Sequence, residues 1–188
     1  MYDGQVQWLP GSRSLWVAIP TVDPIRPTLV SEMNGVTLYR VPVNGEATVA
    51  GRLDALQTYW SADGSRLAYT RAVGAAGEAY ELYLAGPDGS ATQLYGTLTN
   101  GAFLGWSPDS LSFLYADAYQ VYVGAAGRKP QLLGNMISVF DPRWVSNRQI
   151  ISLHDAGAGW LLTLRDVDGA AYGLLSLPRA AEIDVARR

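Results

Sequence analysis

An all-β fold of about four blades, each a four-stranded antiparallel sheet, is what this sequence predicts: a β-propeller, or an incomplete ring of one. Three observations lead there. Tryptophan recurs at Trp8, Trp60, Trp106 and Trp144, and seven and nine residues after each stand apolar pairs: Leu15 and Val17, Leu67 and Tyr69, Phe113 and Tyr115, Ile151 and Leu153. Three residues after each tryptophan comes a residue type that favours tight turns, Gly11, Asp63, Asp109 or Asn147. These types tolerate left-handed backbone or bond back to their own main chain. Finally, a second hairpin follows the first in every unit. Period-two apolar alternation between turn formers marks strands, and units of about 40 to 50 residues with four strands mark propeller blades.

Taken in order, the first hairpin of each unit runs from the tryptophan strand through the turn into the apolar pair. The third strand carries Leu38-Tyr39, Leu82-Tyr83, Val121-Tyr122 and Leu161-Leu162. The following turn holds Asn44-Gly45, Asp88-Gly89, Gly127 and Asp168-Gly169, and the fourth strand holds Thr48-Val49, Gln93-Leu94, Gln131-Leu132 and Leu174-Leu175. The blades therefore span roughly 5–50, 55–96, 101–134 and 138–178 of a single domain covering 1–188, with a tail at 179–188 whose Ile183 and Val185 alternate as in a strand. Tryptophan spacing shrinks along the chain because one equivalent loop shortens, from "PTVDPIRPTLVSEMNG" through "AVGAAGE" to almost nothing at Asp117. Insertions confined to one loop are what a repeat array produces. A sandwich would also give short strands, but has no reason to repeat tryptophan, turn and apolar pair in register.

Composition narrows the function. A formal charge of -3 leaves no basic surface to hold a phosphate backbone by counterion release, so nucleic acid is not an expected partner. No cysteine is present, which removes disulfides and thiolate metal sites. No apolar run is long enough to span a bilayer, and "MYDGQVQWLP" lacks the basic start and apolar stretch of a secretion signal. The expectation is a cytoplasmic protein or a mature or excised piece of a longer one.

The strings "WSADGSRLAYT" and "GWSPDSLSFLYA", each followed by a Leu-Tyr or Val-Tyr strand, resemble the blade motif of TolB-like propellers, also called WD-like repeats. "WLPGSRSLWVAI" and "RWVSNRQIISLH" match more loosely, one lacking the Asp and the other replacing Pro-Asp by Ser-Asn. The resemblance implies a propeller, and it favours an extracytoplasmic setting in the periplasm or cell envelope. It says little about the task, because such blades occur in periplasmic interaction proteins, in sensor ectodomains and in the gating domain of prolyl-oligopeptidase-like hydrolases.

Candidate chemistry is sparse. Asp63 and Asp109 are expected to cap hairpin turns, and the tryptophans to close the gaps between neighbouring blades. The lone histidine, His154, precedes Asp155, but no Gly-x-Ser-x-Gly elbow offers a nucleophile. "DVDG" at 166–169 lacks the later Glu of a calcium loop, and "GAAGRK" lacks the following Ser or Thr of a phosphate loop. No catalytic residue, metal site or cofactor is expected.

What remains is recognition by loops on a rigid scaffold. Residues eleven after each tryptophan, Ile19, Arg71, Asp117 and Asp155, share one rim. Pro24 and Arg26 lie in the long first loop, a solvated insertion stiffened by proline or a docking loop. Partner contacts are therefore expected from Pro24, Arg26, Arg71, Asp117, His154 and Asp155. An open arc leaves apolar faces at its ends, so the ring is expected to be completed by a protein partner or by self-association.

Overall fold

The computed structural model describes residues 5–9, 11, 13–21, 29–74, 79–136 and 139–178. These residues form sixteen strands in four antiparallel four-stranded sheets, each built in simple sequence order. The first sheet comprises β1 (Gln5–Trp8), β2 (Ser14–Pro20), β3 (Val36–Pro42) and β4 (Thr48–Leu53). The second comprises β5 (Gln57–Trp60), β6 (Leu67–Val73), β7 (Ala79–Ala85) and β8 (Gln93–Thr99). The third holds β9 (Ala102–Trp106), β10 (Ser112–Asp117), β11 (Gln120–Ala125) and β12 (Gln131–Asn135). The fourth holds β13 (Phe140–Trp144), β14 (Gln149–Asp155), β15 (Trp160–Asp166) and β16 (Ala171–Leu177). Two compact units divide the chain, Met1–Phe103 and Leu104–Arg188.

The turns close as their residues demand. Asp63 accepts from the Ser61 hydroxyl at 2.6 Å and from the Ser65 amide at 3.0 Å, while Ser61 Oγ accepts from the Arg66 amide at 3.0 Å. Asp109 repeats the arrangement with Ser107 at 2.6 Å and the Leu111 amide at 3.1 Å. Ser61 and Ser107 are fully buried yet fully bonded, which is what makes a hydroxyl tolerable there. In the fourth sheet Ser146 Oγ takes the amides of Arg148 and Gln149 instead, in keeping with its Ser-Asn variant.

One device recurs in all four sheets. The pairing of third and fourth strands slips by a residue between Leu38 and Tyr39, Leu82 and Tyr83, Val121 and Tyr122, and Leu162 and Thr163. In the first three, the residue opposite the first member of each pair is Gly51, Gly96 or Gly134. A bulge at one equivalent point gives every sheet the same added twist.

In the first unit the core lies between the first two sheets. Trp60, Leu67 and Tyr69 of the second pack on Trp16, Ala18 and Leu38 of the first. The indoles of Trp16 and Trp60 stack at 6.0 Å, and Trp60 Nε1 donates to the Pro87 carbonyl at 2.9 Å. In the second unit Trp106 meets Phe113 edge-on at 5.4 Å, Tyr115 stacks on Tyr122 at 5.2 Å, and Trp144 Nε1 donates to Gly105 in the neighbouring sheet at 3.3 Å.

Two expectations need correction. Trp8 closes no gap among the described residues: it is 54% exposed, and in the first sheet the buried residues of β2 are Ser14, Trp16 and Ala18 rather than Leu15 and Val17. The reason is that both faces of β2 are apolar, so period two alone does not tell which is covered. In the fourth sheet Trp144 pairs with Ile150, six residues on, whereas Trp8 and Trp60 pair with residues seven on, because the hairpin loop there is one residue shorter.

Candidate functional site

The expected rim residues fall at strand ends, where each antiparallel sheet hands its chain from the second to the third strand. In the first unit Arg71, near the end of β6, is held rather than free. Its guanidinium pairs with Glu81 at 2.6 Å and Asp54 at 3.2 Å and lies 5.8 Å from the centre of the Tyr83 ring. Tyr83 in turn donates to Glu81 at 2.7 Å and stacks on Tyr69 at 4.9 Å. Burial, then the hydrogen bond to Glu81, pushes the Tyr83 phenol above its ordinary value. A cation neutralised by two carboxylates positions its neighbours better than it recruits an anion. Ile19 is exposed at the end of β2. Pro24 and Arg26 lie outside the described residues, and the far end of their loop is anchored by Asn34, whose side chain bonds the backbone of Ala72.

In the second unit Asp117 closes β10 and is followed by Ala118 and Tyr119, a two-residue turn with φ of 45° and 67° and no glycine. Tyr119 is 67% exposed. His154 and Asp155 end β14 opposite Leu161 and Trp160. Successive strand residues point to opposite faces, so the two do not act as a pair. The Asp155 carboxylate takes the Gly157 amide at 2.8 Å, closing its own turn. Ser152 shares the His154 face but is fully buried, and its hydroxyl has no hydrogen-bond partner among the described residues.

Asp166 and Asp168 flank a hairpin turn and hold Arg148, which pairs with Asp168 and lies 3.4 Å from Asp166. Among the described residues no group of three His, Asp, Glu or Cys could hold a metal ion, and no helix is long and apolar enough to cross a membrane.

Residues missed by sequence reasoning are aromatic. Phe140 is 47% exposed and stacks on Trp160 with ring centres 5.1 Å apart and planes 12° from parallel. The signal was present in "FDPRW", since a proline inside a strand announces a bulge.

One face of the first sheet leaves an apolar surface open. Cross-strand pairs Val6 with Val17, Trp8 with Leu15, Leu15 with Val41, Val17 with Tyr39, and Tyr39 with Val49 place all seven residues together. Val6, Trp8 and Val49 are more than half exposed. The corresponding face of the second sheet, with Trp60, Leu67, Tyr69 and Tyr83, is the one covered by the first.

Repeated four-stranded blades of this kind define a β-propeller, and solved structures agree. The TolB of Acinetobacter baumannii superposes with a TM-score of 0.54 at 14% identity, over 92% of this chain and 43% of that one. The β-propeller domain of the Trilobed protease from Pyrococcus furiosus, which has an open velcro topology, gives 0.61 at 12% identity over 91% and 56%. The acylaminoacyl peptidase of Pyrococcus horikoshii gives 0.62 at 13% over 91% and 32%. The chain thus spans about a third to just over half of these proteins, and at such identities the likeness shows the fold. No protein-family model and no curated protein sequence matches it.

Proposed function

We propose that this chain is a non-enzymatic, protein-binding propeller module of the TolB-like type, and that another protein chain covers the open face of β1–β4 and completes the ring. The observation that carries the reading is the contrast between two equivalent faces. The Trp60 face of the second sheet is buried by a neighbouring blade, whereas the Trp8 face of the first presents the same chemistry to solvent. Contiguous exposed apolar patches of this kind mark interaction sites. Loop contacts from Pro24, Arg26, Arg71, Asp117, His154 and Asp155 would add specificity at the rim, and the family resemblance favours an extracytoplasmic setting.

Light scattering combined with a hydrophobic dye tests this. Self-association or dye binding that Trp8→Ser abolishes supports the reading, and a monomer that binds no dye overturns it. A second reading, a propeller segment accompanying a prolyl-oligopeptidase-like hydrolase, is favoured by the likeness to the Pyrococcus horikoshii peptidase. A Gly-x-Ser-x-Gly elbow followed by Asp and His in the same reading frame would establish it.

A further inference from the structure

Each sheet has two faces, and the register shows how they meet. Trp60 pairs with Leu67, so the tryptophan face of the second sheet is the one that holds Leu67 and Tyr69, and it packs on Trp16, Ala18, Val36 and Leu38 of the first. Those four lie on the face opposite Trp8, since Trp8 pairs with Leu15 and successive strand residues alternate. A tryptophan face thus meets the far face of the sheet before it in sequence. Trp144, paired with Ile150, follows the same rule in the second unit by donating to Gly105 of the third sheet.

The same register fixes the far face of the fourth sheet. Ile151, Leu153, Trp160 and Leu162 stand there where Trp16, Ala18, Val36 and Leu38 stand in the first. Leu153 pairs with Leu162 as Ala18 does with Leu38, and the slip in pairing follows Leu162 as it follows Leu38. All four are apolar, so the fourth sheet repeats the surface by which the first covers Trp60. Leu38, Leu82 and Val121, each just before the slip in its own sheet, are buried, whereas Leu162 is half-buried. Phe140, Tyr172 and Leu175 share its face through their cross-strand partners and are 47%, 61% and 55% exposed.

Among the described residues, one chain therefore presents two open apolar surfaces of opposite kind: the tryptophan face of the first sheet and the far face of the fourth. The covered junction of the first unit needs one of each, with the ring planes of Trp16 and Trp60 only 9° from parallel. The chain thus encodes both halves of a contact that it already makes within itself. Leu175 stands at the repeat position of Gly51, Gly96 and Gly134. A Cβ at Gly96 meets nothing within 4 Å, so the position does not demand glycine in every sheet, and Leu175 adds apolar area at the margin of the face.

We propose that the Trp8 face of one copy docks on the Leu162 face of a second copy, so that this protein assembles head to tail. The inference rests on the protein-binding reading and names the partner as the chain itself. Such a contact is heterologous, each copy giving a different surface, unlike a two-fold contact of like faces.

Trp8→Asp and Leu175→Asp each spoil one surface at an exposed side chain, which spares the fold. Val6→Asp and Tyr172→Asp, on the same two faces and also exposed, replace either variant that fails to melt cooperatively. In sedimentation of the full chain, wild-type mass is expected to rise with concentration, and each variant alone to associate about a hundredfold more weakly, because a charge enters an apolar contact. Mixed in equal amounts, the two variants are expected to pair, since an intact Trp8 face then meets an intact Leu162 face. Self-association by Leu175→Asp alone, a mixture that stays at the mass of one chain, or a wild-type monomer at millimolar concentration overturns the proposal. A wild-type monomer whose dye binding is lost in Trp8→Ser overturns the self-pairing alone and leaves the protein-binding reading standing.

Discussion

The side-chain amide of Asn34 lies against the main chain of Ala72 like a further strand: Nδ2 donates to the Ala72 carbonyl at 2.9 Å, and Oδ1 accepts from the Ala72 amide at 3.0 Å. Ala72 is buried in the second sheet, so both backbone groups depend on this one side chain rather than on water. Asn34→Ala is expected to cost about 1–3 kcal/mol, the penalty of leaving buried polar groups unmade. Asn34→Asp keeps the acceptor and loses the donor, and should fall between. Urea denaturation of the three proteins checks the order, and equal midpoints would refute it.

Trp16 and Trp8 sit in one sheet and should behave oppositely. Trp16 is buried on Trp60, so Trp16→Ala removes a large ring from a packed core and is expected to cost about 3–5 kcal/mol. Trp8→Ala takes away an exposed ring and should stay within about 0.5 kcal/mol for the chain by itself. Thermal unfolding of both variants at low protein concentration makes the comparison.

Gly51 has its own constraint. A Cβ placed there would stand 2.1 Å from the Asp88 carbonyl oxygen, so β4 and the β7–β8 turn approach at a distance only glycine allows. Since the obstacle is backbone, Gly51→Ala forces a shift and is expected to destabilise by about 1–3 kcal/mol. Gly96→Ala, where a Cβ meets nothing within 4 Å, is the control, and a chemical denaturation series distinguishes them.

Alkaline pH should loosen the fold through its tyrosines. Burial pushes the Tyr59 phenol up to about 12 from 10.0, and raises Tyr69 and Tyr83 in the same direction. The unfolded chain therefore loses these protons first, so the stability they contribute is complete below pH 10 and falls as pH rises towards 12. Tyr59→Phe should flatten that fall between pH 10 and 12. An unaltered pH slope in the variant would sink the assignment.

The repeat was legible because tryptophan, turn former and apolar pair recur in register, and those residues do build the first hairpin of each sheet. Which face is covered was not, since Leu15 and Trp16 are both apolar neighbours and only the arrival of the second sheet buries Trp16. The bulges were half visible: Gly51, Gly96 and Gly134 recur at one point of the repeat without any turn to explain them. Of the rim, sequence identified Arg71, Asp117 and Asp155 as strand-end residues. It could not show that Arg71 is already neutralised, because Asp54 and Glu81 reach it only through folding. The stacking of Phe140 on Trp160 joins residues twenty apart across an irregular pairing, which no periodicity encodes.

The displaced pairing between third and fourth strands has a consequence for solubility. In the order of each sheet the fourth strand, β4, β8, β12 or β16, has a neighbouring strand on one side only, and such a margin is a template on which other chains could polymerise. With one extra residue in β4, β8, β12 and β16, donors and acceptors on that margin change phase midway, so an incoming flat strand can match one half but not the other. Each of these four margins is thus a poor seed for fibril growth.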